Sequence, residues 1–286
     1  MSDLELDFDL TPSVVRKRQL RRPPTTLIVG GSIIGVIIVL AIFAPLVTSY
    51  NPTTINLLQT LQGPSAAHWL GTDQLGRDIW TRLVYGARTD LSVAFIAVLA
   101  PFAIGTVLGA FAGYLGGWLD NVIMRVADVV VAFPFYVLVI LLVFLLGPGT
   151  SSIYIAITVV SWISYARIIR GSTLVVKNQE YVLAAQLEGF STLRIILRHI
   201  LPNVISQAIV FAMADIVNDI LAIVTLGYLG LGIPPPAPDW GEMMASGQQF
   251  LTTHWELSTI PGIAVVITGL GLSLFGDGLN ELMGRN

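Results

Sequence analysis

Six stretches of this chain are long, apolar and sparsely charged, and they constrain its fold more than any motif does. They run from Leu27 to Val47, Leu91 to Tyr114, Val122 to Leu146, Ser152 to Ile169, Val204 to Leu226 and Thr259 to Phe275. A helix crosses roughly 30 Å of hydrocarbon with about 20 residues. Helices and closed barrels are the only structures that satisfy every backbone group inside lipid. Runs of this length therefore predict an all-α membrane protein with six transmembrane helices. Composition agrees: 54% of the residues are hydrophobic and 12% charged, where soluble domains carry about 25% charged residues.

Charge distribution sets the orientation. Arg16, Lys17, Arg18, Arg21 and Arg22 precede the first run, which predicts residues 1–24 to be a cytoplasmic tail. With six crossings and both termini inside, 12 of the 15 Lys and Arg residues are internal and 3 external. Orientation accounts for the basic cluster, so no nucleic-acid partner is expected. The acidic N-terminus (Asp3, Glu5, Asp7, Asp9) and the length of the first run argue against a cleaved signal peptide. Residues 25–284 then form the membrane domain, with external segments at 50–90 and 227–258 and an internal loop at 171–203. The chain has no cysteine, which excludes disulfides and Cys-based metal sites. His68, His199 and His254 are scattered, and no second ligand stands at metal spacing from His68.

Several local features carry expectations. Gly105, Gly109 and Gly113 form G-x-x-x-G-x-x-x-G in the second run, a spacing that admits another helix at close range. Pro101 and Pro134 predict kinks in the second and third spans. Arg125 and Asp128 are three apart and can pair on one helix face. Leu75, Ile79 and Leu83 recur at helical spacing in a charged segment, which predicts an amphipathic helix on the membrane surface. Residues 227–242 are too rich in Gly and Pro for helix.

Two polar features interrupt the apolar pattern. From Gln179 to Asn203 the chain reads helix, break, helix. Glu180–Glu188 holds good helix formers, Gly189 stands where helices end, Ser191 where an N-cap belongs, and Pro202 marks a further break. In the fifth run, Asp215, Asn218 and Asp219 lie along one helical face. A carboxylate at mid-bilayer costs about 2.5–3.5 kcal/mol on insertion scales, so this face is expected to meet protein or water. It either lines a translocation path or packs against other helices.

The 179–203 stretch resembles the coupling loop of ABC-importer permeases, E-A-A-x-x-x-G-x9-I-x-L-P, through Ala184, Ala185, Gly189, Leu201 and Pro202. Leu183 stands at its Glu and His199 at its Ile. Residues 68–88 resemble the G-T-D-x-x-G-R-D-x-x-S-R-x-x-Y-G-A-R block of the dipeptide, oligopeptide and nickel members, with Thr81 for the usual Ser. Gly227–Glu242 is similar to their F-L-G-L-G…P-x-W-G block, and residues 276–282 to their G-D-x-L-R-D ending, with Asn280 for Arg. The resemblance implies the type I ABC importer permease fold with a cytoplasmic coupling helix, in the cell inner membrane. It implies a second homologous permease subunit, two ABC ATPase subunits that bind ATP and Mg, an external substrate-binding protein, and membrane lipid around the spans. It would place Tyr181, Ala184, Ala185, Gly189, Arg198 and Pro202 at the ATPase contact. Arg77, Asp78 and Arg82 become candidates for docking the binding protein, and Asp215, Asn218 and Asp219 for the path.

The residues themselves support part of this. There is no G-x-x-x-x-G-K-[ST] and no Gly-Lys pair, so this chain builds no P-loop and no cofactor or catalytic residue is expected in it. Di- or oligopeptides are the expected cargo, with a nickel complex or other small solute as the alternative. A secondary transporter would show coupling-ion ligands and often inverted repeats, and no clear repeat is visible. A channel would need a filter segment or charged ring.

Overall fold

The computed structural model describes residues 23–284. The basic cluster from Arg16 to Arg22 and the remainder of residues 1–22 lie outside the described residues, as does Arg285. Among the described residues the chain is helical with no strand: α1 (Thr25–Ile42), α2 (Ala44–Val47), α3 (Ile79–Leu115), α4 (Gly117–Val131), α5 (Phe135–Leu146), α6 (Thr150–Val176), α7 (Glu180–Leu187), α8 (Thr192–Ile195), α9 (Leu201–Tyr228), α10 (Trp240–Gly247) and α11 (Glu256–Gly284).

Five helical segments are long and apolar enough to cross a membrane. The expected third span is different. It divides into α4 and α5, bent by 88° at the break. Pro134 is the cause. It lacks an N–H and disfavours helical geometry at Phe133, so α4 ends with Ala132 N–H bonded to Asp128 O, and Pro134 becomes the extended first residue ahead of α5. The 12 residues of α5 rise only about 18 Å, short of the hydrocarbon thickness. The pair is therefore an elbow, and makes a sixth crossing only as a broken one.

The expected surface helix is also different. Leu75 lies outside any helix, and Ile79 and Leu83 begin α3, which runs 37 residues into the second apolar run without interruption at Pro101. Asp78 caps its start, accepting from Thr81 N–H at 2.8 Å and Thr81 Oγ1 at 2.7 Å. Between Arg88 and Leu91 nothing breaks the helix, so charged segment and span form one rod about 55 Å long.

The core sits where α3, α6 and α9 meet, with Ile153, Ile157, Ile163, Ile169, Ile220 and Ile223 fully buried. The glycine spacing in α3 serves this contact. A Cβ on Gly109 would fall 2.5 Å from Ala166 O, and one on Gly105 2.2 Å from Trp162 O. α1 packs on α11 by the same device, with Gly30 against Phe275 N and Gly278 against Leu27. Large apolar side chains such as Val137, Phe144, Leu145, Val266 and Leu270 face outward, as a lipid-facing surface requires.

Pro202 does not break the chain as expected. α8 continues through one π-helical turn, Ile196–Ile200, into α9, so residues 192–228 are one helical span. Pro202 removes one backbone donor and its ring crowds the Arg198 carbonyl. The widened turn just before it, closed by Leu201 N–H to Ile196 O, accommodates that crowding without ending the helix.

Candidate functional site

The acidic face of α9 meets a groove of about 430 Å³ formed with α6 and the α4–α5 elbow. Phe133, Tyr136, Ser161, Ser164, Asp215 and Asn218 line it, and no lysine or arginine does. Asp215 is buried, and Tyr165 of α6 donates to its Oδ2 at 2.8 Å. The Tyr165 ring is itself fixed edge-on between Phe102 and Phe211, at centroid distances of 5.7 and 4.9 Å. The carboxylate is thereby held by a hydrogen bond whose donor cannot swing away.

The three polar residues of α9 do not share one environment. Asn218 is exposed and also lines a second groove of about 310 Å³, between α9 and α11, with Ser273, Asp277 and Asn280. It stands on the ridge separating the two. Asp219 is fully buried, and neither of its oxygens has a hydrogen-bond partner among the described residues. It lines neither groove. The helical spacing is as read from the sequence, but the face turns from groove to interior between Asn218 and Asp219.

At one end of the molecule α7 and α8 form a hairpin. Gly189 closes α7 with a positive φ of 77°, its N–H bonded to Gln186 O at 3.0 Å and the Phe190 N–H reaching back to Ala185 O at 3.1 Å. This is the paired-bond Schellman ending that glycine permits. No atom lies within 4 Å of a Cβ built on Gly189, so the conformation alone selects glycine there. Val182 and Ala185 are buried, while Ala184, Arg198 and Pro202 are exposed. Only one of the adjacent alanines therefore packs inward. Tyr181, Leu183, Leu193 and Leu197 are about half exposed, and Leu187 is 90% exposed. Ser191 precedes α8 without a side-chain cap bond. Phe190 lies beneath the Arg194 guanidinium at 5.1 Å and stacks on His199. Lys177, which ends α6, donates its Nζ to Gly113 O at 2.9 Å, and Gln186 Nε2 of α7 donates to the Tyr114 hydroxyl at 3.3 Å; both bonds reach the C-terminal turn of α3. Two ion pairs hold α4 to α6: Asp120 with Arg170 at 2.5 Å and Asp128 with Arg167 at 2.8 Å. Asp128 thus pairs across helices rather than with Arg125.

At the opposite end, the N-terminus of α3 carries a buried polar cluster. Asp73 Oδ1 accepts from the Leu75 and Arg77 N–H groups, and its Oδ2 from Arg77 Nε at 2.7 Å. Arg82 is 1% exposed. It bonds Glu242 at 2.7 Å and Pro52 O at 3.0 Å and approaches Asp73 at 3.7 Å. Asp78 bonds His68 Nδ1 at 2.9 Å. The side chains of Arg77, Asp78 and Arg82 are buried in this cluster. Arg88 is exposed. The cluster instead seats α10, whose Trp240 is buried against Gly86 with Nε1 donating to Leu83 O at 2.9 Å. Asp239 caps α10, accepting from Glu242 N–H at 2.9 Å, and burial pushes its carboxyl up to about 6 against the pull of those N–H groups.

The family-like blocks predicted where the polar segments lie, but Tyr165, Lys177 and Glu242 were missed. Tyr165 reads as one more aromatic in an apolar run, and its pairing with Asp215 spans fifty residues. Among the described residues no group of three or more His, Asp or Glu is placed to hold a metal ion.

Comparison with known proteins adds an independent finding. Residues 105–286 match the model of the family described as binding-protein-dependent transport system inner membrane component, and residues 18–64 that of the N-terminal TM domain of oligopeptide transport permease C. The dipeptide transport system permease protein of Alkalihalophilus pseudofirmus is 42% identical over 90% of this chain and 84% of its own length. The oligopeptide transport system permease protein of Bacillus subtilis is 41% identical over 89% of this chain and 84% of its own. The dipeptide permease protein of Bacillus subtilis is 40% identical over 86% and 77%.

Proposed function

Because the chain belongs to the family of binding-protein-dependent transport system inner membrane components, we propose that it is one of two permease subunits of an ATP-driven importer of di- or oligopeptides. Relatives at about 40% identity carry dipeptide and oligopeptide permease names, which supports the cargo class. ATP and Mg are held by two partner ATPase subunits, and an external binding protein delivers the peptide.

Orientation follows from charge. Arg167, Arg170, Lys177, Arg194 and Arg198 gather toward the hairpin end, which makes that end cytoplasmic and both termini internal. The observation that carries the coupling assignment is the hairpin itself: a glycine-closed turn that leaves Leu187 90% exposed, with Tyr181, Leu183 and Leu193 beside it. Exposed apolar side chains on a polar, basic end point to a protein partner. Closure of the ATPases pushes this hairpin, and α9 carries the displacement into the span as one helix through the π turn. Asp215 and Asn218 face the groove that becomes half of the translocation path, where an unpaired carboxylate attracts the ammonium of a peptide. Asp219 supports the path from behind.

The test is Gly189→Arg in the assembled complex. It should leave the chain inserted and the ATPases bound, and abolish uptake driven by ATP. Normal uptake in that variant contradicts the assignment.

A further inference from the structure

Asp90 and Asp239 are both fully buried, and both serve the same eight-residue helix. Trp240, the first residue of α10, donates its N–H to Asp90 Oδ2 at 3.1 Å, and Glu242 donates to Asp239 Oδ1 at 2.9 Å. The second oxygen of each, Asp90 Oδ1 and Asp239 Oδ2, is buried without a hydrogen-bond partner among the described residues. The N–H groups of Gly241 and Ile233 approach Asp239 without closing a bond to that oxygen. Asp239 rests on backbone, with Gly227 and Gly232 leaving no room for a Cβ beneath it.

A helix N-terminus carries about half a positive charge, enough to favour one carboxylate and not two. Among the described residues no cation is placed to supply the rest. From α3, Arg82 is taken by Glu242 of α10 and Arg88 is exposed. Ahead of α3, Arg77 pairs with Asp73 and His68 with Asp78. Toward α11, His254 pairs with Glu256. α9 brings no ionisable side chain between Asp219 and Tyr228, and α1, α2 and residues 229–238 bring none at all.

We propose that Asp90 and Asp239 share a single proton between their unpartnered oxygens, and that this proton latches α10 and the 229–239 loop onto α3. Two like charges buried side by side cannot both stay ionised. When the proton leaves to solvent, two buried carboxylates are left at the first turn of one short helix, and the cap loosens. The latch is thus closed at acidic pH and weakened as pH rises. On the topology proposed above, it lies on the outer side, where the medium sets the pH.

The test is amide hydrogen exchange across residues 229–242 in the assembled complex, corrected for intrinsic exchange, at about pH 5.5 and about pH 8. In the native chain exchange should rise about tenfold or more, one pH unit of linkage being a factor of ten. Asp90→Asn replaces the shared proton with a fixed N–H donor and removes one charge. It should keep the segment protected at both pH values. A native profile already flat with pH overturns the proposal. So does a rise that persists in Asp90→Asn, which shows that the pH response does not need the pair. If added sodium or potassium protects the segment at about pH 8 as acid does, a metal cation rather than a proton holds the pair. None of these outcomes depends on the cargo or on transport, so failure here leaves the importer assignment standing.

Discussion

Tyr165 on α6 and Asp215 on α9 are joined by a 2.8 Å hydrogen bond at the wall of the groove formed by α6, α9 and the elbow. The bond fixes which oxygen of Asp215 remains for the groove. Removing the donor in Tyr165→Phe should cost about 1–3 kcal/mol of stability, the usual penalty for a buried acceptor left unpaired. Asp215→Asn should lower uptake of cationic peptides at equal membrane abundance and spare acidic ones. Uptake unchanged across peptide charges would remove Asp215 from the path.

Arg82 is the keystone of the buried outer cluster, bonded to Glu242 and close to Asp73. Arg82→Met leaves Glu242 without its cation, while Asp73 keeps Arg77, and breaking one side of a buried pair costs about 3–5 kcal/mol. Thermal unfolding of the purified complex should show a lowered Tm for Arg82→Met. A Tm within error of the native value would mean that the cluster does not hold α10 in place.

The α3–α6 contact depends on Gly109, where a Cβ would fall 2.5 Å from Ala166 O. Gly109→Leu should separate the helices and cost about 1–3 kcal/mol or more, the usual range for overpacking. Gly35, with no atom within 4 Å of a built Cβ, should accept Ala without measurable loss. The pair of melting curves checks the contact.

Acidity should stabilise the α10 cap. Burial raises Asp239 to about 6, above the roughly 3.9 of an unfolded chain. Between about pH 4 and about pH 6 the folded state binds more protons than the unfolded one, so stability falls as pH rises through that window. The Tm of the complex should be higher near pH 5 than near pH 7. Asp239→Asn should flatten that difference.

The sequence located the spans, the hairpin, the Gly189 ending and the close glycine contact of α3, because each follows from local periodicity or from one residue's backbone chemistry. It misread places where local signals compete with tertiary packing. Arg77, Asp78 and Arg82 are buried in pairs with Asp73, His68 and Glu242, and the partners of Asp78 and Arg82 lie too far along the chain for local spacing to show them. Of the two prolines, Pro134 bends the chain as expected, and Pro202 does not break it. The first opens an 88° elbow, and the second is absorbed by the π turn at Ile196–Ile200. The face of Asp215, Asn218 and Asp219 was legible as a face, but its division into groove and interior depends on α6 and α11.

Lys177, at the end of α6 just ahead of the hairpin, ties that end to α3. Lys177→Met removes the bond to Gly113 O, and Lys177→Arg retains a donor. In the assembled complex Lys177→Met should lower peptide uptake per ATP hydrolysed several-fold, with hydrolysis itself continuing, and Lys177→Arg should restore the ratio. Equal loss of hydrolysis and uptake would indicate a merely structural role.

The central claim is tested most directly by placing this chain, its partner permease and two ATPase subunits in proteoliposomes with the binding protein outside and ATP inside. Accumulation of a labelled dipeptide that requires both ATP hydrolysis and the binding protein is the result predicted. Accumulation driven by an ion gradient without ATP, or indifferent to the binding protein, would contradict it.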